Sequence, residues 1–173
     1  MAILEIAKYP DKILRRKAKQ VENIDENIHN LIEDMAQTMY DAPGIGLAAV
    51  QIGIDKSIIV YDVKPRDEGR LLEVLINPRI IKTEGTTISE NEGCLSVPDL
   101  RCDVKRSASL EVEGLDRNGN PLRFEAHGLL AIMLQHEIDH LNGILFIDHI
   151  SPLKRELYKR RINKQSKTSE KDD

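Results

Sequence analysis

The sequence predicts an α+β fold in which short antiparallel strands pack around a central metal-binding helix, flanked by an N-terminal amphipathic helix and a C-terminal basic one. Three observations carry this expectation. Apolar residues recur at helical spacing early in the chain, and again, on most sides of a helix, near residue 130. Between these stretches, from about residue 46 to 127, short runs rich in β-branched residues alternate with turn formers. A polar, basic segment follows, opened by Ser151-Pro152.

From Asp25 to Tyr40, Ile28, Leu31, Ile32, Met35, Ala36 and Met39 fall on one helical face, with Asp25 as N-cap and Pro43-Gly44 beyond the end. Strands are expected at 58–61, 71–76, 86–89, 110–115 and 122–126, the last two joined by an Asn118-Gly119 hairpin. The second helix should run from Leu129 to Leu141, after Gly128 and up to Asn142-Gly143. A third begins at Ser151-Pro152, a good pair for the cap and first turn, and ends near Asn163. The chain thus reads as one catalytic domain over residues 1–163, its basic helix at about 151–163, with residues 164–173 a disordered polar tail.

At 173 residues the chain can bury a core without disulfides, and it has only two cysteines, Cys94 and Cys102. No apolar run approaches the ~18 residues of a membrane span, and the start lacks the pattern of a secretory signal, so a cytoplasmic location is expected. Aromatic residues make up 3% and the net charge is −4, which argues against wholesale nucleic-acid binding. The charge is uneven: residues 151–173 hold eight Lys/Arg against four Asp/Glu. Lys154, Arg155, Lys159, Arg160 and Arg161 form a solvated face or a docking face for ribosomal RNA.

The strongest chemical signal is His136-Glu137-Ile138-Asp139-His140. On a helix, residues four apart share a face, so His136 and His140 can grip one metal ion with Glu137 beside them. A catalytic metal keeps three protein ligands and one open position, so a third ligand is needed. A metzincin would place a histidine where Phe146 stands, and a downstream glutamate could only be Glu156 or Glu170, both poorly placed. The better candidate is Cys94, in Glu92-Gly93-Cys94-Leu95-Ser96-Val97-Pro98, which completes a Cys-His-His set; Cys102 reads as structural. His127 or His149 remains available as a fourth ligand. Leu129, Ile132 and Met133 share the helix face beside His136 and are candidates for an apolar pocket. Arg101, a few residues past Pro98, either holds a substrate carbonyl or sits on the surface. In Gly44-Ile45-Gly46-Leu47-Ala48-Ala49-Val50-Gln51 the glycines permit close approach of a ligand and Gln51 offers an amide donor.

These three segments, 44–51, 92–96 and 135–140, resemble the three signature motifs of the peptide deformylase family, in the family's order. The resemblance takes in Tyr9-Pro10-Asp11 and the stretch from Leu141 to Phe146, covering about the first 150 residues. It implies hydrolysis of the N-formyl group from the initiator methionine of nascent polypeptides, releasing formate. It further implies that Cys94, His136 and His140 are the metal ligands and Glu137 the acid/base. Gln51 and the backbone N–H of Leu95 would be the oxyanion donors, and Ile45, Gly46 and Gly93 would bind the peptide backbone like an added strand. The implied ion is Fe²⁺, with Zn²⁺, Ni²⁺ or Co²⁺ accepted in purified protein. Two other readings compete: a zinc endopeptidase, suggested by HExxH alone, and a non-catalytic, metal-stabilised ribosome-binding module.

Overall fold

In a computed structural model, described over residues 1–171, the first helix, α1, covers Glu26–Asp41, and the Asp25 carboxylate caps it by accepting the Ile28 N–H at 3.0 Å. Seven strands follow: β1 Gly46–Ala48, β2 Ile58–Tyr61, β3 Glu73–Glu84, β4 Thr87–Cys94, β5 Val97–Arg106, β6 Ser109–Leu115 and β7 Pro121–His127. Helix α2, Gly128–Leu141, and helix α3, Pro152–Ser169, complete the described chain. Five strands form one antiparallel sheet in the order β1-β2-β3-β6-β7, while β4 and β5 form a separate hairpin. Among the described residues no helix is long and apolar enough to cross a membrane.

The run Ile58-Ile59-Val60-Tyr61 shows how the layers are ordered. Side chains alternate across a strand, so a strand apolar at every position must be covered on both faces. Ile58 and Val60 pack with Ile28, Ile32, Met35 and Met39 of α1. Ile59 and Tyr61 pack with Ala131, Leu134, Ile138 and Leu141 of α2. Each fully buried side chain of this kind contributes about 1.5–3 kcal/mol. A third cluster joins Leu14, Val97, Val104, Phe146 and Tyr158, tying the N-terminal segment, the β4–β5 hairpin and α3 together. Helix α2 therefore lies between the large sheet and the hairpin.

The structure departs from the expected elements at five places. Strand β3 continues past Asn77-Pro78 to Glu84, because the proline, which cannot donate to the ladder, sits in a shift of register between Ile76 and Arg79. Strand β4 reaches Cys94 rather than Ser89, and β1 and β5 were not expected at all. In β5 the inward positions Cys102, Val104 and Arg106 alternate with exposed charged residues, and the last inward residue is itself a cation. Finally, α3 does not stop at Asn163. It runs six residues further, where the hydroxyls of Ser166, Thr168 and Ser169 donate back to carbonyls four residues earlier. The expected disordered tail is thus helical up to Ser169, and residues 172–173 lie outside the described residues.

Helix α2 ends in a Schellman arrangement: the Gly143 N–H donates to the His140 carbonyl at 3.1 Å and the Ile144 N–H to that of Asp139 at 2.9 Å. Gly143 has φ +72°, and a Cβ there would come within 2.5 Å of the Arg15 carbonyl oxygen. The same N-terminal segment donates Ala18 N–H to the Leu141 carbonyl at 2.8 Å, so it seals the helix end that carries His140. Gly143→Ala should destabilise the protein by roughly 2–4 kcal/mol, lowering Tm by roughly 5–15 °C in thermal denaturation. An unchanged Tm would show that this helix end yields freely.

Candidate active site

Helical spacing places His136 and His140 one turn apart on α2, their ring centres 5.0 Å apart. Strand β4 ends in a tight turn that pairs Cys94 with Val97 and sets the cysteine Sγ 3.3 Å from His140 Nε2. One ligand atom from each of Cys94, His136 and His140 lies within 4.8 Å of the other two. The sulfur also accepts the Ser96 N–H at 3.4 Å and faces the Gln51 amide at 3.8 Å. A soft sulfur with two imidazoles converging on one point suits a divalent transition ion. His127 is exposed and His149 is bound to Asp139 at 2.8 Å, so neither joins this cluster.

One of the two histidines, His136, is held as metal-binding imidazoles usually are, from behind. His136 Nδ1 is bonded to the Glu92 carboxylate at 2.7 Å. Arg106, nearly inaccessible to solvent, donates twice to Glu92 and once, at 2.8 Å, to Asp139. Burial alone would push the Glu92 carboxyl up, but its bonds with His136 and Arg106 outweigh this and hold it at about 2. Burial would lower His136 as well, yet its bonds to Cys94 and Glu92 keep it well above the usual imidazole value. His140, buried with His136 beside it, is held well below that value. Gln135 adds a neutral tie: its side-chain amide exchanges two 2.9 Å bonds with the backbone of Ser107.

Glu137 points the other way, toward β1. It is buried, its Oε2 finds no partner among the described residues, and burial pushes its carboxyl up to about 7 against the pull of His136 and Arg106. Gly46 makes room for it, since a Cβ there would lie 2.9 Å from Glu137 Oε1 and 3.0 Å from Met133 Sδ. Gln51 is fixed by the Ala48 N–H, which donates to Oε1 at 2.9 Å; Nε2 is thereby left to face Ser96 Oγ at 3.2 Å and the cysteine sulfur.

Above these groups opens a groove of about 810 Å³. Leu129, Ile132 and Met133 form one apolar wall, and Ile45, Gly46, Gly93 and Arg101 lie along the rest with Leu95. Apart from His127 and His149, the residues singled out from the sequence for metal, proton and substrate therefore meet at one place. Arg106 and Asp139 were missed, and Glu92 was noticed only as a neighbour of Cys94. The available signal was a charged residue, Arg106, at an inward position of an alternating strand, which demands buried acidic partners.

Sulfur and imidazole donors at the floor of an open groove, beside a carboxyl kept from water, define the class of mononuclear metal-dependent hydrolases. The sequence matches the family described as polypeptide deformylase over residues 3–156, and the chain belongs to that family. It is 53% identical over 167 residues to the peptide deformylase of Desulfosudis oleivorans, covering 96% of each chain. The crystal structure of a peptide deformylase from Legionella pneumophila superposes with a TM-score of 0.88 at 45% identity, over 97% of this chain and 98% of that one. A second, from Synechococcus elongatus in complex with actinonin, gives 0.84 at 43% identity, over 93% of this chain and 86% of its own. This membership disfavours both the zinc endopeptidase and the non-catalytic module.

Glu92→Gln keeps an acceptor for His136 but removes the charge that fixes it, so affinity for Zn²⁺ or Ni²⁺ should fall roughly 10- to 100-fold in chelator competition, with the fold intact by circular dichroism. Unchanged affinity would remove Glu92 from any role in holding the ligands.

Proposed function

We propose that the chain's deformylase activity, removal of the formyl group from the N-terminal methionine of nascent polypeptides, runs in the groove over Cys94, His136 and His140. The convergence of those three side chains beside the buried Glu137 is the observation that carries this reading. Residues 1–163 act as one catalytic unit. When bound by the three side chains, a divalent ion polarises a carbonyl oxygen and makes a water acidic enough to ionise near neutral pH. Fe²⁺ is the proposed physiological ion and Zn²⁺, Ni²⁺ or Co²⁺ are substitutes, since thiolate and imidazole accept all four. A thiol ligand and a ferrous ion both favour a reducing cytoplasm as the location.

Glu137 takes the proton of the attacking water on its carboxylate and delivers it to the departing methionine nitrogen; a carboxyl whose pKa is raised toward neutrality can do both. As negative charge collects on the formyl oxygen, the Gln51 Nε2 and the Leu95 N–H stabilise it. The Ala48–Gln51 bond supports that role, because it turns the donor end of the amide toward the sulfur and Ser96 Oγ. Leu129, Ile132 and Met133 receive the methionine side chain. Ile45, Gly46 and Gly93 take the peptide backbone as an added strand, which gives affinity without reading sequence. Support comes from the position of β1 at the edge of the large sheet. Arg101 holds a carbonyl further along the peptide.

The outer side of α3 is the proposed contact with ribosomal RNA. Arg160, Lys164, Lys167 and Lys171 line a shallow surface there, a concentration of positive charge suited to phosphates. Lys164→Glu with Lys167→Glu should weaken co-sedimentation with ribosomes at low salt and leave formate release from formyl-Met-Ala-Ser unchanged. Equal co-sedimentation would remove the contact.

The central test is formate release by protein loaded anaerobically with Fe²⁺. Glu137→Ala should keep its metal, measured by elemental analysis, and lose roughly 10²–10⁴-fold in kcat. Gln51→Ala should lose about 10²–10³-fold. A Glu137→Ala protein with native turnover would falsify the proton-transfer role.

A further inference from the structure

Strands β4 and β5 do not pair evenly beside the site. Glu92 pairs with Cys102 and Cys94 with Val97, so five residue steps on β5 stand opposite two on β4. The surplus, Pro98 to Arg101, bulges away from its partner strand and leaves carbonyls that the ladder does not use. Asp99 in this bulge has φ +62°, a conformation that residues other than glycine seldom hold without outside support. Asp99, Leu100 and Arg101 all line the groove.

The support comes from α3. Tyr158, its one buried residue among those described, donates its hydroxyl to the Pro98 carbonyl at 3.1 Å. Arg161, one position short of a full turn further on, lies over the Tyr158 ring at 5.1 Å and donates to the Asp99 carbonyl at 2.9 Å. The Tyr158 ring packs in turn on Tyr9, whose N–H is bonded to the Ser96 carbonyl at 2.8 Å. At the end of the bulge, the Arg101 side chain lies against Gly93, where a Cβ would come within 3.2 Å of its guanidinium, and donates to the Asn91 carbonyl at 3.3 Å. Asn91 is three residues along β4 from Cys94, about 10 Å at the rise of a strand.

We propose that Tyr158 and Arg161 are positioning residues for substrate specificity: by fixing the carbonyls of Pro98 and Asp99, they set where Arg101 stands against the third and later residues of a bound peptide. This rests on the reading of the groove as the peptide site. Neither residue touches the metal cluster or the apolar wall, so the effect falls on binding of longer peptides and spares the chemical step. One face of α3 thus shapes the groove while the opposite, lysine-rich face remains open to solvent.

The test compares formyl-Met-Ala, which ends before Arg101, with formyl-Met-Ala-Ser-Lys-Ala, which passes it, on full-length, metal-loaded protein. Tyr158→Phe keeps the ring packing and removes only the hydroxyl bond; combined with Arg161→Ala it withdraws both supports. For the double variant, KM for the five-residue peptide should rise roughly threefold to tenfold, as expected for one or two lost hydrogen bonds, with kcat and all formyl-Met-Ala constants unchanged. Arg161→Lys in place of Arg161→Ala should recover most of the loss, and amide exchange at Leu100 and Arg101 should quicken in the double variant. Equal losses on both substrates, or no change on either, overturn the proposal. Arg101→Ala separates the two levels: if it raises the long-peptide KM while the double variant does not, only the bracing by α3 fails. If Arg101→Ala also has no effect, the peptide path along Gly93 fails with it.

Discussion

Arg106 joins two parts of the molecule that sequence places far apart. It reaches from β5 to Glu92 on β4 and to Asp139 on α2, and Glu92 continues the line to His136. Taking a guanidinium and a carboxylate out of water costs several kcal/mol per ion, and only complete pairing offsets it. Here the pairing is complete only when the hairpin lies against α2 in one register. A slide of two residues along β4 would leave Arg106 or Glu92 buried alone. The charge network thus specifies the one docking in which the Cys94 sulfur meets the two imidazoles, and it does so without being a source of large net stability.

Within that frame, different parts of the site are held by different forces. The histidines come from the rigid core of the protein, a helix whose other sides are covered by the large sheet and by Phe146, which stacks near His136 with ring centres 6.2 Å apart. Cys94 and Leu95 come from a hairpin turn, and Gln51 from a short 3₁₀ turn after β1. Three separate pieces of chain converge, two of them oriented by bonds within the piece itself and the third, the helix, by a bond from the hairpin. Gln51 is oriented by Ala48, the sulfur by the Ser96 N–H, and His136 by Glu92. Such prior fixing is what lets fixed dipoles act on developing charge without reorganising.

Much of this was legible in the residues themselves. The period of Ile28, Ile32, Met35 and Met39 marks α1 because a helix buries one face, and His136 with His140 marks a site because four residues make one turn. The Asn118-Gly119 hairpin was legible because a two-sided strand pair must reverse there, with Gly119 at φ +84°. What escaped depends on contacts between distant segments. Strand β5 hides its alternation behind Arg106, whose burial makes sense only with Glu92 and Asp139 in place. Strand β3 hides behind Asn77-Pro78, a turn signal that becomes a bulge because the Asn77 side chain bonds both backbone groups of Val21. The end of α3 escapes because a polar composition reads as disorder, although nothing between Asn163 and Ser169 breaks a helix.

The seal between the N-terminal segment and the end of α2 has a bearing on how the molecule comes into being. Residues 15 and 18 are synthesised some 120 residues ahead of the carbonyls of Leu141 and Gly143 that they bind. Until then the helix that bears both imidazoles has no closed terminus. The closed terminus behind His140 therefore forms only after both of these stretches have been made.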